Sequence, residues 1–403
     1  MKPAVLFVHS NSELYGADFI LLQVVLAVKD QVEPIVALPC EGVLAERLRA
    51  KGVRVVITRE SVLRRVNFKP HKLPRFFWNL LRDTVALARI IRKENVRLVY
   101  SNTAAVLAGA RAAKKCRIPN LYHIHEIITD PPWMAKAVAR MVLKHSCAVI
   151  AVSQAVREQL LRYSCSGDPP VEVIHNGIDA SCFDPVGDVM KIRRELGAGP
   201  ENVLYGVIGR IHPWKGQSYF VESARLVADV CPRARFVIVG GTFPGYEHLV
   251  EELHKQIYRL GLRDRCRVLP HRTDIPQIMR ALDVFVLPST LPDPLPTVVL
   301  EAMAAERPVV ATAHGGALEM VLHGDTGLLA PHQDVCAFSE ALLALADDAA
   351  MRRRMGAEGR ARLLQHFSKE RFISDIRNYF SGLLTISKTA SHDVETQLTE
   401  LTE

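Results

Sequence analysis

Short β-branched apolar runs alternate along most of the chain with polar loops and amphipathic, helix-period stretches. In the first half the runs fall at 4–9, 34–38, 53–58, 97–101, 120–124, 148–152 and 171–175, with helix-period stretches such as 18–28, 42–50 and 76–93 between them. Strands apolar along their whole length and separated by helices predict a parallel sheet, because crossover helices then cover both faces. The rhythm breaks at 179–202, where Phe183-Asp184-Pro185, Gly197 and Gly199-Pro200 mark loops around one short charged helix. It resumes with runs at 203–208, 235–239, 267–269, 284–287 and 308–312. Two such series predict an α/β fold of two Rossmann-like domains with parallel sheets facing across a cleft. The expected division is a first domain over 1–180, a linker over 181–202, a second domain over 203–370, and a C-terminal helix over 371–403. That helix is free to cross back to the first domain, and its tail beyond 387 reads as frayed. Ligands of open parallel sheets lie beyond the carboxyl ends of the strands, so the loops there are where chemistry is expected.

Composition narrows the class without changing the fold. The chain has 403 residues, too many for one ordinary core and suited to two domains. Its apolar fraction of 49% and charged fraction of 23% belong to a folded globular protein and exclude a disordered or collagen-like chain. The eight cysteines are scattered with no Cys-x-x-Cys pair, which argues against zinc and against a disulfide framework and fits a reducing cytosol. The apolar run after Met1-Lys2 is too short for a signal segment, and nothing reaches the roughly 18 apolar residues of a membrane span, so a cytoplasmic location is expected.

Charge adds an asymmetry. Residues 1–190 carry 26 Lys/Arg against 17 Asp/Glu, whereas the rest of the chain is close to neutral. A basic half suits an acidic partner such as a phosphate or an anionic surface, and it equally serves solubility. Within it, the stretch 64–78 interleaves Arg64, Arg65, Lys69, Lys72 and Arg75 with Phe68, Phe76, Phe77 and Trp78. This pattern suits peripheral docking on the inner face of an anionic membrane. A solvated loop whose aromatics pack into the core has the same composition. No nucleic-acid motif accompanies the charge, so no nucleic-acid partner is expected.

Two motifs carry the candidate chemistry. The first, Gly209-Arg-Ile-His-Pro-Trp-Lys-Gly216, directly follows the first strand of the second series. Arg210 and Lys215 on a loop at a strand's carboxyl end, with Gly209 and Gly216 permitting close backbone approach, make a cradle for a diphosphate. The second, Asp293-Pro-Leu-Pro-Thr-Val-Val-Leu-Glu301, runs from a loop into a helix beginning at Thr297. The amides of Thr297 and Val298 at that helix N-terminus are ready for an anion. Glu301 lies one turn further in, among Val, Leu, Ala and Met, where a carboxylate must be paired or bound. A nearby arginine would satisfy it, and so would the two hydroxyl donors of a nucleotide ribose.

In this order the motifs resemble those of the retaining GT-B glycosyltransferases of family four (glycosyl transferases group 1), in which Gly-Arg-x4-Lys-Gly and Glu-x7-Glu recur. Further landmarks match: Tyr15-Gly-Ala-Asp18, Val152-Ser-Gln-Ala-Val156, His175-Asn-Gly-Ile-Asp179, Gly315-Gly-Ala-Leu-Glu319 and Gly324-Asp-Thr-Gly327. The resemblance spans about residues 4–380. It implies a hexosyltransferase moving a sugar from a UDP- or GDP-linked donor to a glycan, lipid-linked or small-molecule acceptor, in surface polysaccharide or glycoconjugate biosynthesis. Arg210 and Lys215 would hold the pyrophosphate and stabilise the leaving diphosphate, and Glu301 would hold the ribose. Asp293 would hydrogen-bond the donor sugar, and the stretch through Pro294, Leu295, Thr297 and Val298 would offer backbone amides to sugar and phosphate. Gly16 would let the acceptor-side domain approach the diphosphate, and His125 matches the active-site histidine that contacts the donor sugar. The base would meet the loop at 270–274, with His271 and Arg272. One departure stands out: the family's first glutamate is Asp293 here, one methylene shorter.

Fixed cations and a helix N-terminus can stabilise a departing diphosphate without a metal. No Asp-x-Asp occurs, so neither a divalent ion nor a cofactor is expected. His123-Ile-His-Glu126 could be read as metal ligands, but further ligands are not evident. Three rivals share parts of this reading. A GT-B epimerase or phosphorylase has the same fold, and a binding protein could keep the nucleotide site without turnover. A nicotinamide dehydrogenase would need a Gly-x-Gly-x-x-Gly opening a helix, and the chain has none.

Overall fold

The structure is a computed structural model that describes the backbone at residues 2–14, 16–58, 62, 70–184 and 187–400, with side chains there through residue 384 except at Pro70. It divides into two compact units, Met1–His175 with Glu370–Glu403, and Asn176–Lys369.

Unit 1 contains strands β1 (Ala4–Val8), β2 (Glu33–Leu38), β3 (Arg54–Ile57), β4 (Val96–Asn102), β5 (Asn120–Ile124), β6 (Ala148–Ala151) and β7 (Val171–Val173). They form one parallel sheet in the order β3-β2-β1-β4-β5-β6-β7. Alternation divides β1 between two cores. Val5 and Phe7 face one that includes Leu21, Val25 and Tyr100, while Ala4, Leu6 and Val8 face another that includes Leu87, Ile91 and Val99. The chain steps outward from β1 to β3 and returns to β4 on the other side. The crevice above β1 and β4 is therefore the unit's switch point.

The C-terminal helix Lys369–Glu400 also belongs to unit 1 from Glu370 onward. Phe372, Ile376 and Phe380 recur every four residues, so they form one stripe, and all three are buried in the core with Phe7 and Tyr100. Each contributes about 1.5–3 kcal/mol by leaving water. The helix continues to Glu400, beyond the point at 387 where the sequence suggested fraying.

Unit 2 contains β8 (Val203–Ile208), β9 (Ala234–Val239), β10 (Cys266–Leu269), β11 (Val284–Leu287), β12 (Val309–Thr312) and β13 (Gly327–Ala330). They form a parallel sheet in the order β10-β9-β8-β11-β12-β13, with its switch point between β8 and β11. The expectation of two parallel-sheet, Rossmann-like units thus holds. β13 was not anticipated, because four residues at a sheet edge show no period.

The expected linker over 181–202 requires correction, since this segment is part of unit 2. Its helix Val189–Glu195 carries a buried Arg193, whose guanidinium donates to the carbonyls of Ala281 (2.8 Å) and Asn202 (2.7 Å) and to Asp283 Oδ2 (2.9 Å). A buried charge with that many acceptors fastens the segment in place. Close by, Ile178 bridges to Ser368, and Lys369 Nζ reaches Asp179 Oδ2 at 3.2 Å, which joins the two strands of chain where unit 2 begins and ends.

Candidate functional site

The switch point of unit 2 brings the two motifs together. The loop after β8 holds Gly209–Gly216, and the loop after β11 runs through Pro288 and Asp293 to the helix Thr297–Ala304. Gly216 sits at φ 72°, and a Cβ there would stand 1.8 Å from the Pro288 carbonyl oxygen, so only glycine lets the two loops touch. Their contact is closed by hydrogen bonds from Thr290 N to the Trp214 carbonyl (2.8 Å) and from Thr290 Oγ1 to the Pro213 carbonyl (3.0 Å). The Gly315-Gly316 landmark supports the second loop from behind. The Gly316 amide donates to the Asp293 carbonyl at 2.8 Å, and a Cβ at Gly315 would lie 2.4 Å from that oxygen.

Lys215 Nζ and Asp293 Oδ1 are 2.6 Å apart, and Ser289 Oγ donates to Asp293 Oδ2 at 2.5 Å. The expected phosphate cation and the expected sugar carboxylate are thus ion-paired with each other, both largely shielded from water. An incoming diphosphate competes with Asp293 for this ammonium. Arg210 lies with its guanidinium carbon 3.6 Å from the centre of the Phe243 ring, a cation–π contact that orients it. Its carbonyl accepts from Gln217 Nε2 at 2.9 Å, which anchors the loop.

The helix Thr297–Ala304 has no side-chain cap, and its first two amides, of Thr297 and Val298, have no protein acceptor among the described residues. Such a terminus is an anion site waiting for a partner. Pro294 is half-buried and Leu295 is buried, so they shape the loop. Glu301 is half-buried and its carboxylate makes no hydrogen bond or ion pair among the described residues, so no described arginine satisfies it. Desolvation alone raises its carboxyl to about 7. Arg272 is engaged elsewhere: it forms a bidentate pair with Asp274 (2.7 and 2.5 Å) and reaches Glu195 at 3.4 Å, while its neighbour His271 is exposed.

In unit 1, His125 follows β5 and packs against His123 with ring centroids 4.1 Å apart and the planes tilted by 43°. Burial holds both imidazoles neutral: His123 is lowered to about 3 and His125 falls well below its ordinary value. His125 Nε2 is 3.0 Å from Asn102 Oδ1, and its amide donates to Glu126 Oε2 at 3.2 Å. No group of three or more metal-ligating side chains gathers among the described residues. Gly16 begins the first helix of the unit, and no described protein atom lies within 4 Å of where a Cβ would stand. Packing within the chain does not require glycine there.

Sequence reasoning did not single out His9 or Asn102, and it weighed Glu126 only as part of a metal-ligand reading of His123-Ile-His-Glu126. They occupy the ends of β1, β4 and β5, and the one available signal was a polar residue closing each apolar run. The basic, aromatic stretch resolves into two parts. Positions 63–69, with Arg64, Arg65, Phe68 and Lys69, lie outside the described residues. On the helix Leu73–Lys93, Phe76 is buried, whereas Phe77, Trp78 and Leu81 are 61%, 62% and 51% exposed. No helix among the described residues is long and apolar enough to cross a membrane.

Comparison with known proteins agrees with this architecture. The family described as glycosyl transferases group 1 matches residues 188–362, and that described as glycosyltransferase family 4 matches residues 43–181. An alpha-maltose-1-phosphate synthase of Mycolicibacterium smegmatis is 32% identical over 301 residues, covering 68% of this chain and 76% of that protein. The lipopolysaccharide core biosynthesis mannosyltransferase LpsB of Rhizobium meliloti is 31% identical over 61% of this chain and 68% of that protein. The crystal structure of Anabaena HepE in complex with UDP and glucose is 27% identical, covers 95% of this chain and 99% of that one, and superposes with a TM-score of 0.78. With its two Rossmann-like units and these matches along most of its length, the chain belongs to the family-four glycosyltransferases of the GT-B fold.

Proposed function

We propose that this glycosyltransferase moves a hexosyl group from a UDP-linked donor to a glycan or lipid-linked acceptor, with retention at the anomeric carbon and without a metal ion. The observation that carries the donor site is Glu301, a half-buried carboxylate with no partner among the described residues, one turn inside a helix whose first amides are also unsatisfied by them. A nucleoside diphosphate supplies what both lack: vicinal ribose hydroxyls for the carboxylate and phosphate oxygens for the amides. Lys215 and Arg210 complete the cradle. The UDP and glucose bound in the HepE structure support uridine as the base.

In the proposed reaction the bond from the anomeric carbon to the diphosphate oxygen breaks while the acceptor hydroxyl oxygen attacks from the same face. The acceptor's proton passes to the departing diphosphate. Lys215, Arg210 and the amides of Thr297 and Val298 stabilise the charge that grows there, in place of a divalent cation. Asp293 and His125 hold the sugar.

Calorimetry with UDP, GDP, ADP and dTDP in the presence of a chelator tests the donor site. UDP is expected to bind saturably and the other three more weakly. Failure of all four to bind overturns the reading. Slow UDP release from UDP-glucose then separates an enzyme from a binding protein, which would bind UDP and release none from the sugar nucleotide.

The acceptor side is proposed to dock on an anionic membrane surface through the helix Leu73–Lys93. Its exposed face carries Phe77, Trp78 and Leu81 beside Arg75, Arg82, Arg89, Arg92 and Lys93, and its one acidic residue, Asp83, is buried. Exposed aromatics flanked only by cations are what an interfacial helix presents to acidic lipid. Wild-type protein is expected to co-sediment with phosphatidylglycerol vesicles and to be released by salt. The double variant Phe77→Ser, Trp78→Ser is expected to lose about tenfold or more of that binding with UDP affinity intact. Equal binding to zwitterionic vesicles would overturn the docking surface.

A further inference from the structure

The switch point of unit 1 holds a continuous chain of buried polar side chains delivered by different elements. His9 follows β1, Asn102 ends β4, His125 follows β5, and Asp18 lies in the first turn of the helix Gly16–Val28. His9, Asp18 and Asn102 are all under 5% exposed. In so dry a setting each polar atom needs a partner of the right type, and that requirement determines where the protons lie.

The donors and acceptors can be assigned in sequence. Asp18 Oδ1 is 2.7 Å from His9 Nε2, and Asp18 Oδ2 accepts from Asn11 Nδ2 at 3.1 Å. A carboxylate only accepts, so His9 carries a proton on Nε2. Asn102 Nδ2 lies 3.3 Å from the Ala17 carbonyl and 3.0 Å from His9 Nδ1. A carbonyl only accepts, so the NH2 of the amide must face Ala17, and its oxygen then faces the other way. With its proton on Nε2, the His9 ring accepts the Asn102 amide N–H at Nδ1 and cannot donate to the Asn102 backbone carbonyl, 3.2 Å away. Asn102 Oδ1 is 3.0 Å from His125 Nε2, and an amide oxygen only accepts. The proton of His125 is therefore on Nε2, and Nδ1 keeps its lone pair.

We infer that Asp18, His9 and Asn102 are positioning residues: they hold the loop and the amide that fix His125 in its Nε2–H tautomer, with Nδ1 presented as a hydrogen-bond acceptor. The surroundings of His125 agree. His123 packs tilted against it as a neutral ring, Glu126 takes its backbone amide, and Nδ1 has no partner among the described residues. Under the function proposed above, on which this consequence rests, Nδ1 accepts a hydroxyl proton of the donor sugar. A ring free to flip or change tautomer would present an N–H there for part of the time, and the hydroxyl would then have to accept instead of donate, which changes how the sugar is held.

The two claims separate experimentally. In 15N-labelled imidazole spectra of the folded protein near neutral pH, His125 is expected as a single Nε2–H tautomer. Asn102→Ala is expected to give averaged shifts of both tautomers, and Asn102→Asp, which keeps an acceptor facing Nε2, is expected to restore the Nε2–H form. An unchanged His125 signature in Asn102→Ala overturns the relay, provided that variant's melting curve shows it folded; a wild-type Nδ1–H form overturns it without any variant. UDP release from UDP-glucose adds the functional arm. Asn102→Ala is expected to lower its rate tenfold or more while the UDP Kd changes far less, since Arg210, Lys215, Glu301 and the amides of Thr297 and Val298 are all in unit 2. Lost tautomer control with an unchanged rate would leave the relay standing and remove His125 from the sugar site.

Discussion

Replacing Lys215 with alanine is expected to lower turnover by roughly 10²-fold or more, the usual cost of removing one preorganised group that stabilises transition-state charge. The ammonium lies at the end of the short turn Pro213–Lys215, held by the Gly216 contact to the loop after β11. Its loop is therefore in place before any ligand arrives, and the ammonium has only to exchange its Asp293 partner for phosphate oxygen. Its ligand-free partner is Asp293, at 2.6 Å. The alanine variant leaves Asp293 with Ser289 alone, so its melting curve must accompany the kinetics to separate lost catalysis from a loosened loop. Lys215→Arg keeps the charge but replaces a compact ammonium with a planar fork, and it is expected to recover only part of the rate. UDP release from UDP-glucose under single-turnover conditions measures both variants. A rate within threefold of wild type in Lys215→Ala would remove this residue from the chemistry.

Glu301→Gln is expected to weaken UDP binding by about 10²-fold, because two charge-assisted hydrogen bonds to ribose become weaker neutral ones. It should also remove the part of the pH dependence that comes from Glu301, leaving that of the UDP phosphate, which itself ionises at about 6. Burial raises the Glu301 carboxyl to about 7 in the ligand-free protein, and hydroxyl donors bind the ionised form. UDP affinity should thus rise up to about tenfold per pH unit below 7 and level off above it. Calorimetry at pH 5.5, 6.5 and 8 checks this, and a flat wild-type profile would refute it.

Stability should move in the opposite sense. A carboxyl whose folded pKa lies above its unfolded value of 4.5 contributes stability that is full below 4.5 and lost as pH rises through about 7. The ligand-free wild type is therefore destabilised at pH 8 by on the order of 2 kcal/mol, after discounting for partial exposure. Glutamine carries no charge to desolvate. The variant that binds UDP worse should accordingly melt several degrees higher at pH 8 and close to wild type at pH 5, as expected of a site kept unsatisfied for its ligand.

Local rules carried much of the fold. Near-continuous apolar runs spaced by helix-period segments were enough for two parallel sheets, because the period of a segment depends on its own side chains and the face they must bury. They failed where the deciding contact is remote. Arg193 reads as part of a charged loop helix, and only the carbonyls of Ala281 and Asn202 and the carboxylate of Asp283 make it the clasp that draws the expected linker into unit 2. β13 is a strand because β12 offers it an edge. The stretch around Phe77 and Trp78 could be read as core or surface from its composition, and packing divided it, with Phe76 inward and its two neighbours outward.

The site divides in the same way. The chain alone determined which groups stand at strand ends: Arg210 and Lys215 after β8, Asp293 and the helix from Thr297 after β11, and His125 after β5, since each follows an apolar run whose length sets where the strand stops. Tertiary structure decided which of these ends meet. Lys215 and Asp293 are 78 positions apart, and they pair because the strand order places β11 against β8. It also decided that the Glu301 carboxylate has no partner among the described residues and that Asn102 faces His125 with its oxygen, because satisfaction of a buried polar group depends on every atom that surrounds it and not on its neighbours in sequence.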